Sequence, residues 1–246
     1  MCATRTRVFA LDFDGVICDS IEEGLLVSWN THRHAAVNAF VEPGLAGVPS
    51  DVADRFTACR PFARHLGHWL VPLVVSSVPA GRAEFAARYD ELPMQMVKTF
   101  TTAATRYRTQ VRRVYPERWL AHHHVQPGLG GVLTGAYIVT ARDSESVRRI
   151  LNAHAIGIDH TRIFGSRRDK PDALRTIAMR EAVEPADVTL VDDNIENCVS
   201  AQAAGYSAWW ARWGYNTAAD QGLAITHGVP AISIDELREP LASRPR

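Results

Sequence analysis

The sequence predicts an α/β fold, in which a core built on a parallel sheet is interrupted by one all-helical insertion. Two patterns lead to this prediction. Short apolar runs alternate with helical patterns at the start and in the second half of the chain, whereas the middle lacks strand-like alternation. The chain has 246 residues, 46% of them hydrophobic, which is enough for one sizeable core or for a core and a smaller domain.

The predicted strands are short and apolar, and helical segments connect them. Ser144 is a favoured N-cap residue before a helix, a second helix is predicted over 171–179, and a third over 195–204 ends before Gly205. Alternation of this kind predicts a Rossmann-like parallel sheet covered on both faces. The predicted strands are Val8–Leu11, Ala136–Val139, Ile163–Phe164, Val188–Val191, Ala208–Ala211 and Ala231–Ile234.

The predicted insertion covers residues 19–126. Helical patterns run over 83–89 and 97–114, and several prolines separate the helices from one another. We therefore divide the chain into a core domain of residues 1–18 and 127–246 and a helical domain of residues 19–126.

Composition limits the classes of partner. The formal net charge is zero and the arginines are dispersed, so no nucleic-acid partner is expected. The longest apolar stretch, 69–75, is too short to span a membrane, and the N-terminus has no apolar secretory segment. The four cysteines show no metal-binding spacing. We expect a cytoplasmic protein without a membrane partner, either a monomer or a homodimer.

Polar side chains follow four of the predicted strands. Carboxylates at the mouth of a buried strand are costly unless a metal, a hydrogen-bond network or a reaction needs them there. A lone acidic pair is more often a solvated turn or an N-cap, but four such groups at the ligand-binding edge of a parallel sheet predict a functional site. The groups are Asp12 with Asp14, Thr140, Lys170, and Asp192 with Asp193.

These groups belong to the segments LDFDGVICDS, YIVTARD, DKPDAL and LVDDNIENCVSAQAAG, and the segment WARWGYN comes later. In this order the segments resemble the motifs of the haloacid dehalogenase (HAD) superfamily. The insertion resembles the helical C1-type cap of that superfamily, which would close over the site. The resemblance is nearest to the phosphoglycolate phosphatase and β-phosphoglucomutase branch.

The resemblance implies a role for each acidic group. Asp12 would be the nucleophile that forms an aspartyl phosphate. Asp14 would protonate the leaving oxygen and later deprotonate the hydrolytic water. Mg²⁺ would be held by the Asp12 carboxylate, the Asp14 backbone carbonyl and Asp193, and it is left open whether Asp192 or Asn197 also reaches the ion.

The resemblance also implies which groups contact the phosphate ester. Thr140 would donate its hydroxyl to the phosphoryl oxygens, the backbone around Ala141 and Arg142 would add N–H donors, and Lys170 would neutralise charge. Three further candidate substrate-binding residues are Gly15 in the first motif, Asp19 at the hinge to the insertion, and Arg60 in the cap. For Arg60, a solvated helix face is the competing interpretation.

Together these residues predict a Mg²⁺-dependent phosphatase that acts on a small phosphomonoester, such as a sugar phosphate, a phosphoglycolate-like acid or a nucleoside 5′-phosphate. Dehalogenating members of the superfamily lack an acid two residues after the nucleophile, so Asp14 favours phosphate esters. One alternative is a phosphomutase, which passes the same phosphoryl group to a second hydroxyl. Another is a non-catalytic member that only binds a phosphorylated ligand.

Overall fold

The structure is a computed structural model that describes residues 7–34 and 43–243. Two compact units make up the chain, Met1–Asp19 with His124–Arg246, and Ser20–His123. The sequence-based division assigned residues 19 and 124–126 to the insertion. In the structure they belong to the first unit, because Cys18–Asp19 pairs with His124–Val125 in an antiparallel ribbon. Cys2 and the rest of 1–6, on which the expected localisation partly depends, lie outside the described residues.

The strands of the first unit are short and mostly buried. Every residue of the first and sixth strands is buried, as expected for strands that are covered on both faces. In the described part of the chain the strands are β1 (Val8–Leu11), β2 (Cys18–Asp19), β3 (His124–Val125), β4 (Tyr137–Val139), β5 (Ile163–Phe164), β6 (Val188–Asp192), β7 (Ser207–Ala211) and β8 (Ala231–Ile232).

Six of these strands form one parallel sheet in the order β5-β4-β1-β6-β7-β8. Leu11 at the end of β1 lies opposite Ile138 on one side and Val191 on the other, so the carboxyl ends of β1, β4 and β6 are neighbours. From β1 the chain continues to β4 and β5 on one side of the sheet and then crosses to β6, β7 and β8 on the other side. This reversal creates a topological switch point beside β1. The predicted Rossmann-like α/β fold is confirmed.

The second unit is helical, and its described residues 20–34 and 43–123 contain no strand. The side chain of Glu23 is fully buried there, where it pairs with Arg108 at 2.6 and 2.8 Å and accepts a bond from the Trp119 indole at 3.2 Å. The helices are α1 (Ile21–His34), α2 (Ser50–Cys59), α3 (Val71–Val74), α4 (Arg82–Asp90), α5 (Met94–Val114) and α6 (Pro116–Leu120), with 3-10 turns at Arg60–Phe62 and Leu66–Leu70.

The remaining helices belong to the sheet unit. Leu174 and Ile177 from one helix and Cys198 from the next pack in a core cluster with alternate strand residues such as Val8 and Leu190. The helices are α7 (Ser144–Ala153), α8 (Lys170–Glu181), α9 (Ile195–Ala203), α10 (Ala218–His227) and α11 (Ile234–Ala242), with 3-10 turns at Gly130–Gly135, His160–Arg162 and Pro185–Asp187.

One predicted helix start differs from the structure. Asp143, and not Ser144, is the N-cap of α7, and its carboxylate accepts the Ser146 N–H at 2.9 Å. Both residue types are favoured N-caps, so composition alone does not separate adjacent candidates. Among the described helices, none is long and apolar enough to cross a membrane.

Candidate active site

The first acidic group lies in the loop that follows β1. Asp12 is the first residue after the strand, and its N–H still donates to Val191 O of β6 at 2.8 Å. Its Oδ1 accepts the N–H of Phe13 at 2.8 Å. Gly15 then turns the chain with a φ of +90°, a conformation that strongly favours glycine. The carboxylate of Asp12 is therefore fixed at the switch point of the sheet.

Lys170, the first residue of α8, connects three strands of the site. Its ammonium group lies 2.9 Å from Asp12 Oδ1 and 3.4 Å from Asp192 Oδ2, and it donates to Val139 O at 2.5 Å. The side chain is 4% exposed. A compact cation thus joins the carboxyl ends of β1, β4 and β6.

Burial and charge act in opposite directions on this cluster. Burial raises the pKa of Asp12 to about 6, because Lys170 only partly offsets desolvation while Asp192 and Asp14 add negative charge. Burial alone would lower the pKa of Lys170, but the two carboxylates outweigh it, so the pKa is raised. Lys170 therefore stays charged, and Asp12 is mostly ionised at neutral pH.

The late acidic pair ends β6. Asp192 is fully buried and its oxygens are already engaged: Oδ1 accepts the Asn194 N–H at 2.9 Å, and Oδ2 accepts the Asn197 amide at 3.0 Å. Asn197 thus contacts Asp192 as a donor. Burial, together with Asp192 and Asp193, raises the pKa of the neighbouring Cys198 thiol well above its ordinary value, so this thiol is neutral.

Asp193 is held by a loop that follows β7. The backbone N–H of Tyr215 donates to Asp193 Oδ2 at 2.6 Å, and the Trp210 indole donates to the Asp193 carbonyl at 2.8 Å. Two glycines allow this close approach. A Cβ atom on Gly15 would lie 2.1 Å from Asp193 Oδ2, and one on Gly214 would lie 2.3 Å from Asp193 Cβ.

Three of the sequence-predicted residues lie in the loop after β4. Thr140 is buried, and its Oγ1 accepts the Arg142 N–H at 3.1 Å. This N–H was expected to donate to the phosphate ester, but in the structure it donates to Thr140. Ala141 is exposed between them. The Arg142 guanidinium contacts Asp14 instead, with N–O distances of 2.8, 3.0 and 3.1 Å. The proposed acid is therefore paired with a buried arginine.

The acidic cluster has the chemistry of a divalent-metal site. One carboxylate oxygen each from Asp12, Asp192 and Asp193 lies within 4.8 Å of the others. All three donors are hard carboxylate oxygens, which is the donor type that Mg²⁺ takes from proteins. The residues present therefore fit a bound Mg²⁺.

Two predicted substrate contacts remain, Asp19 and Arg60. Asp19 is the last residue of β2, and its Oδ1 accepts the Tyr215 hydroxyl at 2.7 Å. Arg60 begins the 3-10 turn in the helical unit, where its guanidinium donates to Ala63 O at 3.4 Å.

Sequence reasoning missed the contributions of Tyr215 and of the Arg142 side chain. The segment WARWGYN was recognised as a motif, but nothing in its pattern indicates that a backbone N–H orients Asp193. Trp213 of the same segment donates its indole N–H to Val16 O at 3.0 Å, so the loop is bonded to the first motif as well.

A family model and several solved structures match this chain. The family model of haloacid dehalogenase-like hydrolases matches residues 6–205. A comparison with curated protein sequences found no match.

Several solved structures share the fold. The chain is similar to a haloacid dehalogenase-like family hydrolase from Streptococcus pneumoniae, with 16% identity, a TM-score of 0.59, and coverage of 97% of this chain and 98% of that one. It is also similar to a predicted phosphatase from Clostridium acetobutylicum, with 15% identity, a TM-score of 0.58, and coverage of 97% of this chain and 99% of that one. A third similar structure is a predicted phosphoglycolate phosphatase from Haemophilus somnus, with 18% identity, a TM-score of 0.54, and coverage of 87% of this chain and 88% of that one.

Proposed function

Because this chain belongs to the haloacid dehalogenase-like hydrolase family, we propose that it is a phosphatase acting on a small phosphomonoester. The observation that carries the proposal is the pair of carboxylates on one loop, with Lys170 at 2.9 Å from the first. Asp14 lies close enough to Asp12 to raise its pKa. A halide leaves without a proton, whereas an alcohol leaving group needs one, so this second acid favours phosphate esters over haloacids.

In the first step, an Asp12 oxygen attacks the phosphorus atom. The bond between phosphorus and the ester oxygen breaks, its electron pair stays on that oxygen, and Asp14 supplies the proton that completes the alcohol. The product is an aspartyl phosphate on Asp12. Lys170 offsets the negative charge that gathers between the two reacting groups.

In the second step, water hydrolyses the aspartyl phosphate. Asp14, now a carboxylate, takes a proton from the water as its oxygen bonds to phosphorus. The bond between phosphorus and Asp12 breaks, the electron pair returns to the Asp12 carboxylate, and inorganic phosphate is released. Asp14 has thereby regained its proton and Asp12 is again a carboxylate, so both residues are ready for a second cycle.

The proposal includes Mg²⁺, held by Asp12 and Asp193, which would supply charge neutralisation for the phosphoryl oxygens. We favour Asp193 over Asp192 because N–H donors reach both oxygens of Asp192, and its Oδ2 also lies 3.4 Å from the Lys170 ammonium. The Tyr215 N–H reaches Oδ2 of Asp193. Thr140, the first residue after β4, would donate its hydroxyl to a phosphoryl oxygen. The proposed substrate class is a small-molecule phosphate ester. Gly15 and Ala141 are in the loops that follow β1 and β4, and Asp19 is the last residue of β2.

The test is release of phosphate from 4-nitrophenyl phosphate and from a panel of sugar phosphates. We expect turnover with Mg²⁺, its loss with EDTA, and a fall of about 1,000-fold or more in the Asp12→Asn variant. Asp235→Asn, a change on α11 where the side chain is 83% exposed, is the matched control and should keep activity. Turnover that survives both EDTA and Asp12→Asn would refute the mechanism, and isomerised sugar phosphate without free phosphate would show a mutase instead.

A further inference from the structure

The Arg142 side chain is buried in the site and paired with the proposed acid. The side chain is 2% exposed, and two of its nitrogens contact both oxygens of Asp14 at 2.8 to 3.1 Å. A buried ion pair is costly to desolvate and often adds no net stability, so its presence beside a reactive carboxylate calls for another explanation.

The backbone of Arg142 is fixed by one hydrogen bond within its own loop and by another to the loop that follows β5. Its N–H donates to Thr140 Oγ1 at 3.1 Å, and its carbonyl accepts the Ser166 N–H at 2.8 Å. Gly165 allows that loop to approach, since a Cβ atom there would lie 2.8 Å from Arg142 O. The guanidinium is therefore presented to Asp14 from a rigid support.

We propose that Arg142 is a positioning residue that acts through Asp14, by holding its carboxyl group in the orientation needed to give a proton to the ester oxygen and to take one from the hydrolytic water. The proposal rests on the proposed phosphatase function. The planar guanidinium contacts both carboxylate oxygens and so fixes rotation as well as position. An ammonium group in the same place would supply the charge but no fork, so lysine should replace only part of the effect.

This role makes a prediction that general stabilisation of the fold does not. A poor leaving group, such as an alkyl alcohol, depends on protonation, whereas 4-nitrophenolate leaves with little help. Misplacing Asp14 should therefore slow alkyl phosphates far more than 4-nitrophenyl phosphate. Damage to the fold would slow both substrates by the same factor.

The experiment compares Arg142→Met, Arg142→Lys, Asp14→Asn and the double variant Arg142→Met/Asp14→Asn, with 4-nitrophenyl phosphate, phenyl phosphate and glycerol 2-phosphate as probes. We expect Arg142→Met to lower kcat/KM by about 3-fold for 4-nitrophenyl phosphate and by about 100-fold for glycerol 2-phosphate. Arg142→Lys should fall between Arg142→Met and the wild type. The double variant should be no slower than Asp14→Asn, because the two residues act as one unit.

Arg149→Met is the matched control, since Arg149 pairs with Glu145 on the surface of α7 and is 46% exposed. Equal losses on all three probes, or losses that multiply with those of Asp14→Asn, would overturn the positioning role. If Arg142→Met does not fold, the leaving-group dependence of Arg142→Lys decides the question. If wild-type turnover depends on Asp12 but the Arg142 variants slow all three probes equally, this inference alone is wrong. If no probe shows turnover that depends on Asp12, the proposed function is wrong, and the inference with it.

Discussion

At the scale of single residues, Lys170 shows why one side-chain type is needed at one place. Of the 27 basic residues only Lys98 and Lys170 are lysines. The Lys170 ammonium reaches Asp12, Asp192 and Val139 O, three acceptors arranged around one buried point. A planar guanidinium is larger and directs its donors in one plane, so it cannot replace this contact set.

We therefore predict that Lys170→Arg loses most activity although the charge is kept. Displacing the cation leaves Asp12 and Asp192 without their shared partner, and loss of one such electrostatic contact costs about 100- to 1,000-fold in kcat. Steady-state kinetics on 4-nitrophenyl phosphate would measure the effect. Lys98→Arg, at an exposed position of α5, is the control. Near wild-type rates in Lys170→Arg would mean that charge alone suffices.

The site residues differ in how far the sequence could predict them. Asp12, Thr140 and Asp192 directly follow short runs of apolar character, and Asp193 comes one residue later, so strand recognition alone places them at one edge of a parallel sheet. Side-chain pairs across the site have no such local signal. Arg142 and Asp14 are 128 positions apart, and the Tyr215 hydroxyl and Asp19 are 196 apart, so only the folded chain reveals these pairs.

At the scale of secondary-structure elements, the six strands of the parallel sheet were predicted because they are short apolar runs, and in β1 and β6 every residue is buried. The last of them was predicted over 231–234, but it ends at Ile232 because Ser233 is the N-cap of α11. The two-residue strands β2 and β3 were not predicted. Helix ends were less certain, since the choice between Asp143 and Ser144 depends on backbone geometry. Contacts between elements required the structure. One example is the hydrogen bond from the Tyr137 hydroxyl of β4 to Glu181, the last residue of α8.

That bond predicts a pH-dependent stability. Burial raises the pKa of Tyr137, and its bond to Glu181 raises it further. A phenol whose pKa is raised by folding stabilises the fold fully below its ordinary pKa of about 10, and the stabilisation is lost as pH rises through the folded value. Tyr137→Phe should therefore cost about 1 kcal/mol at neutral pH and less above pH of about 10.

Urea unfolding of the wild type and of Tyr137→Phe at both pH values would measure this difference. Glu181→Gln is a useful companion, because it keeps an acceptor for the hydroxyl but removes the negative charge that helps to raise the pKa. A difference in unfolding free energy that does not change with pH would contradict the argument.

At the scale of the whole molecule, the candidate metal site exists only when the chain is folded. Asp12 and Asp193 are 181 positions apart in the sequence, and pairing of β1 with β6 brings them together. A ligand that binds only the folded state raises the free energy of unfolding by an amount set by its concentration relative to Kd. The metal can therefore be detected by stability alone, without reference to turnover.

We predict that Mg²⁺ at about 100 times its Kd raises the free energy of unfolding by about 2.7 kcal/mol, and that EDTA reverses the increase. Asp193→Asn should abolish the increase, since it removes a carboxylate ligand whose place is fixed by Tyr215 and two glycines. Asp235→Asn, at an exposed side chain of α11, should retain the increase. Urea titrations with and without Mg²⁺ would measure each value. An equal increase in Asp193→Asn would place the ion somewhere other than the carboxyl ends of β1 and β6.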